Sequence, residues 1–161
     1  MKQPAQFDSR AAYRQRRKGT VLVELTLSLT FLTALFLGTW QYGYAFYIYG
    51  ELEQAVRAGS RYASLQTYNS GTSTPLDALQ TAVQNIVVYG DPAPASGATP
   101  VAPGLTTNNV SLTVTWVNGA PTQMTVAITN YQLPTYFGNT ALNGKPTTTF
   151  PFVGIFGPPY P

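Results

Sequence analysis

The sequence predicts an α+β fold: a long N-terminal transmembrane and stalk helix, then a small head with a second helix and a short antiparallel β-sheet. Three observations carry this expectation. Val21 to Gly38 is an apolar run that, extended by Trp40 and Tyr42, reaches the roughly 20 residues needed to cross a bilayer core. Beyond it, apolar residues recur every three or four positions, first to Ala63 and again from Leu76 to Ile86. Between Val110 and Tyr131 the period drops to two, the repeat of a strand with one buried face.

Charge is the first constraint on the N-terminal element. Of the nine Lys and Arg residues, Lys2, Arg10, Arg14, Arg16, Arg17 and Lys18 all precede Gly19. Beyond Gly19 only Arg57, Arg61 and Lys145 remain, against the acids Glu24, Glu51, Glu53, Asp77 and Asp91. The net positive charge is therefore a property of one end, and the rest of the chain offers no footprint for nucleic acid. A basic run against a single apolar segment is a topology signal, with Arg14, Arg16, Arg17 and Lys18 on the cytoplasmic side and the remainder outside.

The run VLVELTLSLTFLTALFLG is apolar all round, broken by Thr, Ser and Glu24. Burying it in a soluble core would take a larger domain than the remaining residues can build, so the lipid bilayer is its expected partner. Its Thr and Ser hydroxyls are tolerated because they can bond back to the preceding turn. Trp40, Tyr42, Tyr44, Phe46, Tyr47 and Tyr49 follow as an aromatic belt at headgroup level. Helical spacing continues through Leu52, Ala55, Val56, Gly59 and Ala63, with Glu53 and Arg57 as an i, i+4 ion pair. One helix is expected from about Thr20 to Leu65.

Asn69, Ser70 and Gly71 end that helix. Thr74 as cap, Pro75 in the first helical position and Asp77 in the third mark a new start, and the stripe Leu76, Leu79, Val83, Ile86 carries the helix to Val88 or Tyr89. Asp91 to Asn108, rich in Pro, Ala and Gly, is a loop. Val110, Leu112, Val114 and Trp116 form one strand and Met124, Val126 and Ile128 another, with Asn118-Gly119 as a hairpin turn that Pro121 lengthens or bulges. A third strand is expected near Thr147 to Phe152. The tail FPFVGIFGPPYP reads as an extended cover or contact surface.

The residue types restrict the chemistry. With no Cys and no His, the chain lacks thiol nucleophiles, imidazole bases and the commonest zinc ligands, and its six carboxylates show no catalytic spacing. A non-enzymatic protein without cofactor or metal is expected. The charged fraction is only 9%, against about 25% in ordinary domains, and Thr, Ser, Asn, Gln and Tyr supply the polarity instead. That suits a surface outside the cell or packed against like subunits.

The most informative stretch is RRKGTVLVEL, Arg16 to Leu25. A secretory signal peptide would place small residues after the apolar core, but Gly38 is followed by Thr39-Trp40. Gly19 instead lies between the basic and apolar runs, with Glu24 five residues beyond it. This arrangement resembles a prepilin-type leader, which a membrane-embedded peptidase cuts after the Gly, here between Gly19 and Thr20. Together with Glu24-Leu25, the aromatic cluster and Ala55-Val56-Arg57-Ala58-Gly59-Ser60-Arg61-Tyr62-Ala63, it is similar to the TadE-like family of minor pseudopilins in Flp/Tad pilus systems. Leu25 stands where an aromatic residue is usual.

The resemblance implies a leader over 1–19, a transmembrane and stalk helix over 20–65, and a pilin-like extracytoplasmic head over 66–161. It also implies an inner-membrane protein of pilus biogenesis and adhesion. The implied partners are a prepilin peptidase, other pilin or pseudopilin subunits and the Tad membrane platform. Arg57, Gly59, Arg61 and Tyr62 would form a helix-packing motif. Glu24 would be an assembly contact, since an ionisable group in a lipid-facing helix costs about 2.5 to 3.5 kcal/mol and calls for a partner. The alternative is an uncleaved, signal-anchored surface protein whose head binds a carbohydrate or protein ligand through Trp116, Tyr131 and Tyr136.

Overall fold

The computed structural model describes residues 9–135, 138 and 140–157, with side chains from Gly19 onward. The side chains of Arg10, Arg14, Arg16, Arg17 and Lys18, and all of Lys2 and Tyr136, lie outside the described residues. Seven principal elements follow one another: α1 (Ser9–Leu65), α2 (Asp77–Tyr89), β1 (Val110–Val117), β2 (Ala120–Ile128), β3 (Tyr131–Leu133), β4 (Thr140–Leu142) and β5 (Thr147–Pro151). They form two compact units, Met1–Tyr42 and Gly43–Pro161, so α1 contributes to both.

In the first unit the helix begins at Ser9, ahead of the expected Thr20. Ala, Arg, Gln and Lys before Gly19 are strong helix formers, and a single Gly costs only about 1 kcal/mol, so nothing there stops the helix. From Val21 to Phe36 the large apolar side chains are exposed. This is the one helix among the described residues long and apolar enough to cross a membrane. Its threonines are internally satisfied. The hydroxyls of Thr26, Thr30 and Thr33 each donate to the carbonyl four residues back at 2.8 Å, and Thr39 does so at 3.0 Å.

The second unit has a single core. Leu52, Val56 and Ala63 of α1 and Val83, Val87 and Val88 of α2 join Val110, Val114, Met124, Val126 and Ile128 of the sheet. The helical spacing read from the sequence thus names the buried face: Leu52, Ala55, Val56, Gly59 and Ala63 are all buried. Gly59 lets the helices approach. A Cβ there would lie 2.5 Å from Val87 Cγ2. Ser60, fully buried, donates its hydroxyl to the Thr148 carbonyl at 3.0 Å and ties α1 to β5.

The second helix starts later than expected. Leu76, in extended conformation, is the N-cap and Asp77 the first helical residue, so Thr74 does not cap and Pro75 precedes the helix. The Thr74 amide is instead held at 3.3 Å by the Thr72 hydroxyl, a local bond that competes with helix initiation. At the other end Gly90, at φ 76°, closes the helix by donating its amide to the Ile86 carbonyl at 2.8 Å.

The sheet has the order β1-β2-β5, all antiparallel. Asn118 and Gly119, at φ 52° and 76°, form the two-residue turn with both central residues in the left-handed region. Pro121 does not lengthen this turn. The register shifts between Thr115 and Trp116, so that Thr115 faces Gln123 and Trp116 faces Pro121, with Thr122 as the extra residue of a bulge. The third strand lies at Thr147–Pro151, within the expected span. The pair β3–β4 was not expected, because three-residue strands show too little alternation to be read.

Beyond β5 the chain continues as a strap along the end of α1. Val153 donates its amide to Ser64 O at 3.0 Å, Tyr68 to Ile155 O at 2.8 Å, and Gly157 to Tyr68 O at 3.2 Å. Phe152 and Phe156 turn inward, where Tyr68, Trp116, Phe152 and Phe156 pack at centroid distances of 5.5 to 6.3 Å. Val153 and Ile155 turn outward and are exposed.

Candidate functional site along the N-terminal helix

The residues singled out near the membrane all lie on α1. Gly19 and Thr20 are helical and exposed, and a Cβ on Gly19 would meet nothing within 4 Å. Gly19 is therefore not required by packing. Glycine, after proline, is the residue at which a helix is least costly to unwind. One turn further, about 6 Å along the axis, Glu24 projects from a surface of exposed Leu and Val side chains. It has no hydrogen bond or ion pair among the described residues. The hydroxyls of Thr26, Thr30 and Thr33 are occupied by their own helix, whereas Glu24, the ionisable group on this stretch, has no partner among the described residues.

On the stalk, the segment Arg57 to Tyr62 divides between two tasks. Gly59 and Ser60 face the head and hold α2 and β5, while Tyr62 is half-buried against the core. Arg57 is exposed and paired with Glu53, and Arg61 is exposed.

Residues 19–61 match the TadE-like protein family. This segment is TadE-like. It contains Gly19, Thr20, Glu24 and the Arg57 to Arg61 stretch, and it lies on the helix that is long and apolar enough to cross a membrane. Comparison with curated proteins and with solved structures gives no match. The head beyond the TadE-like segment is thus described by its own geometry alone.

That geometry bears on the proposed ligand contacts of the head. Tyr131 is 1% exposed and donates its hydroxyl to Pro103 O at 2.9 Å, so it is a core residue and not a contact surface. Trp116 is half-buried between Tyr68 and Phe156. Among the described residues no cluster of three or more acidic side chains could hold a metal ion. Reading the sequence missed Ser60 and Gly154. The latter lies so close to the end of the stalk that a Cβ would fall 2.0 Å from Gln66 O, and nothing in the local sequence marks that contact.

Proposed function

We propose that this chain is a non-enzymatic minor pseudopilin of a Tad/Flp-type pilus or secretion apparatus, acting in pilus biogenesis and adhesion. It sits in the bacterial inner membrane with its basic end cytoplasmic and its head outside. The observation that carries this reading is the TadE-like match over the helix that bears Gly19, Thr20 and Glu24. A prepilin peptidase cuts after Gly19, and the whole apolar helix stays on the mature protein. The new α-amino group of Thr20, protonated near neutral pH as α-amines ordinarily are, then pairs with Glu24 of a neighbouring subunit in a medium where each alone is costly. The other pilin or pseudopilin subunits and the Tad membrane platform are the partners, and no cofactor takes part.

The test is the mature N-terminus in the membrane fraction, with and without a prepilin peptidase. Thr20 is expected with the enzyme and Met1 without it. Gly19→Val should leave a membrane-bound precursor of lower mobility, because a branched side chain blocks close approach to the backbone. Unchanged mobility of that variant would remove the leader from this reading.

A further inference from the structure

The sheet ends on two edges whose hydrogen-bonding groups can be assigned from the ladder. Thr129 N donates to Asn109 O at 2.7 Å, Ile128 N to Pro146 O at 3.1 Å, and Phe152 N to Thr122 O at 2.9 Å. Antiparallel pairs alternate between bonded and non-bonded, so Ser111, Thr113 and Thr115 turn their amides and carbonyls toward β2. Leu112, Val114 and Trp116 turn theirs away. On β5, Thr148 and Phe150 face β2, while Thr147, Thr149 and Pro151 face outward. None of these outward groups has a hydrogen-bond partner among the described residues. The outward carbonyl of Val110, by contrast, is taken by Gln84 Nε2 at 3.2 Å.

Which strand can complete β5 follows from how α1 lies on the sheet. Pairing β5 with a second β5 in one continuous antiparallel sheet needs a two-fold axis normal to that sheet. Such an axis reverses the 43–65 part of α1, which packs on the sheet, and sends the two Gly43 ends in opposite directions. Copies whose 43–65 segments point the same way cannot meet this way. For co-oriented copies the remaining edge contact is β5 against β1, and because both run antiparallel to β2, it is parallel.

We propose that the outer edge of β5 is a docking site for β1 of a second, co-oriented copy of this chain, with Thr149 beside Thr115 and Thr147 beside Thr113 of that copy. Four bonds form. The Thr147 amide donates to Leu112 O and the Val114 amide to Thr147 O, then the Thr149 amide donates to Val114 O and the Trp116 amide to Thr149 O. This uses every outward group of Thr147 and Thr149. A slip of two residues one way calls on the Val110 carbonyl, which Gln84 occupies. A slip the other way runs into the Asn118-Gly119 turn. A slip of one residue puts solvent-facing side chains on the core face. Pro151, with no amide hydrogen, closes the window beside Val117. Phe150, half-buried yet outside the core cluster, falls beside Trp116 of the second copy. Neither edge carries charge, since Lys145 is the only charged side chain beyond Asp91. The contact is heterologous and therefore repeats from copy to copy. It rests on the reading of this chain as a subunit anchored in one orientation.

The chain has no cysteine, so cross-linking can be read without background. Adjacent strands lie about 4.8 Å apart, inside the Cα separation of about 4.4 to 6.8 Å that a disulfide spans. Thr149→Cys and Thr115→Cys copies carrying different tags are produced in the same membrane and oxidised gently. A mixed-tag dimer is expected, with no dimer from Thr149→Cys alone. Absence of the mixed dimer, or an equal yield from Thr149→Cys alone, overturns the proposal. Adding Thr149→Pro to the pair Thr147→Cys and Thr113→Cys removes the central amide, which donates to nothing among the described residues, and the dimer should be lost. A persisting dimer overturns the proposal too. Processing at Gly19 and pilus production are scored in the same strains, so a missing cross-link with normal pili rejects this contact and leaves the pseudopilin reading intact.

Discussion

Gly50 and Gly59 lie on the same helix, but a methyl group meets different surroundings at each. At Gly50 nothing is within 4 Å of an added Cβ, so Gly50→Ala gains helix propensity and should stabilise the protein by about 1 kcal/mol. At Gly59 the same gain is opposed by Val87 Cγ2 at 2.5 Å, and overpacking of about 1 to 3 kcal/mol leaves a net loss. At Gly154 the obstacle is the Gln66 carbonyl oxygen, a backbone atom that cannot rotate away, so Gly154→Ala should be the most damaging of the three. Thermal unfolding of the purified protein in detergent should rank Gly50→Ala above wild type, then Gly59→Ala, then Gly154→Ala. Two tyrosines make a separate prediction. Burial raises the pKa of Tyr68 and of Tyr131 above the ordinary 10.0, against a smaller opposing effect of Ser70 on Tyr68 and a reinforcing one of Tyr44 on Tyr131. A folded-state pKa above the unfolded value gives stability that is complete below pH 10 and is lost as pH rises through the folded value. Melting temperature should therefore fall on the alkaline side of pH 10, and Tyr68→Phe should reduce that fall. An equal alkaline loss in the variant would remove Tyr68 as a cause.

Elements with a strong period were legible, and elements held by single contacts were not. The stalk helix, the Asn118-Gly119 hairpin and β5 follow from spacing and turn chemistry, which act within a few residues along the chain. The start of α2 was read two residues early, because Thr74-Pro75 fits a helix start while the Thr74 amide is held by the Thr72 hydroxyl. β3 and β4 are three residues each and depend on one another across a loop. The tail was read as an extended cover over the sheet or a contact surface, but its course along Ser64 and Tyr68 depends on the close approach at Gly154, a contact between residues distant in sequence. Its role can be measured. Ending the chain after Pro151 removes the Val153 bond to Ser64 of α1, two bonds with Tyr68 just beyond it, the Phe152 bond to Thr122, and the rings of Phe152 and Phe156. Tyr68 and Trp116, now uncovered, should lose near-ultraviolet dichroism, and limited proteolysis should cut between Leu65 and Asp77. A truncated chain as resistant as wild type would show that the sheet and helices hold that end without the strap.

Across the whole molecule, the long apolar helix was legible because lipid imposes a simple rule on composition. Glu24 breaks that rule in plain view, whereas nothing comparable marks a head whose surface is nearly free of charge. The structure adds that the neighbouring Thr26, Thr30 and Thr33 are satisfied by their own helix, which leaves Glu24 without an intramolecular answer among the described residues. Glu24→Ala lowers the insertion cost of the helix, by about 2.5 to 3.5 kcal/mol at most, so an isolated carboxylate would make the variant better inserted and fully functional. A carboxylate that receives the Thr20 amine of a neighbouring subunit predicts the opposite. The variant should be cleaved after Gly19, abundant in the membrane and poor in pilus production or surface adhesion, because docking is lost while folding and export are kept. Glu24→Asp, which keeps the charge on a shorter stem, should recover part of the assembly, and Glu24→Gln little of it. Processed protein is quantified beside pilus yield in each strain. Normal assembly of Glu24→Ala at normal protein level would end the pairing role and leave Glu24 as a tolerated group on the helix surface.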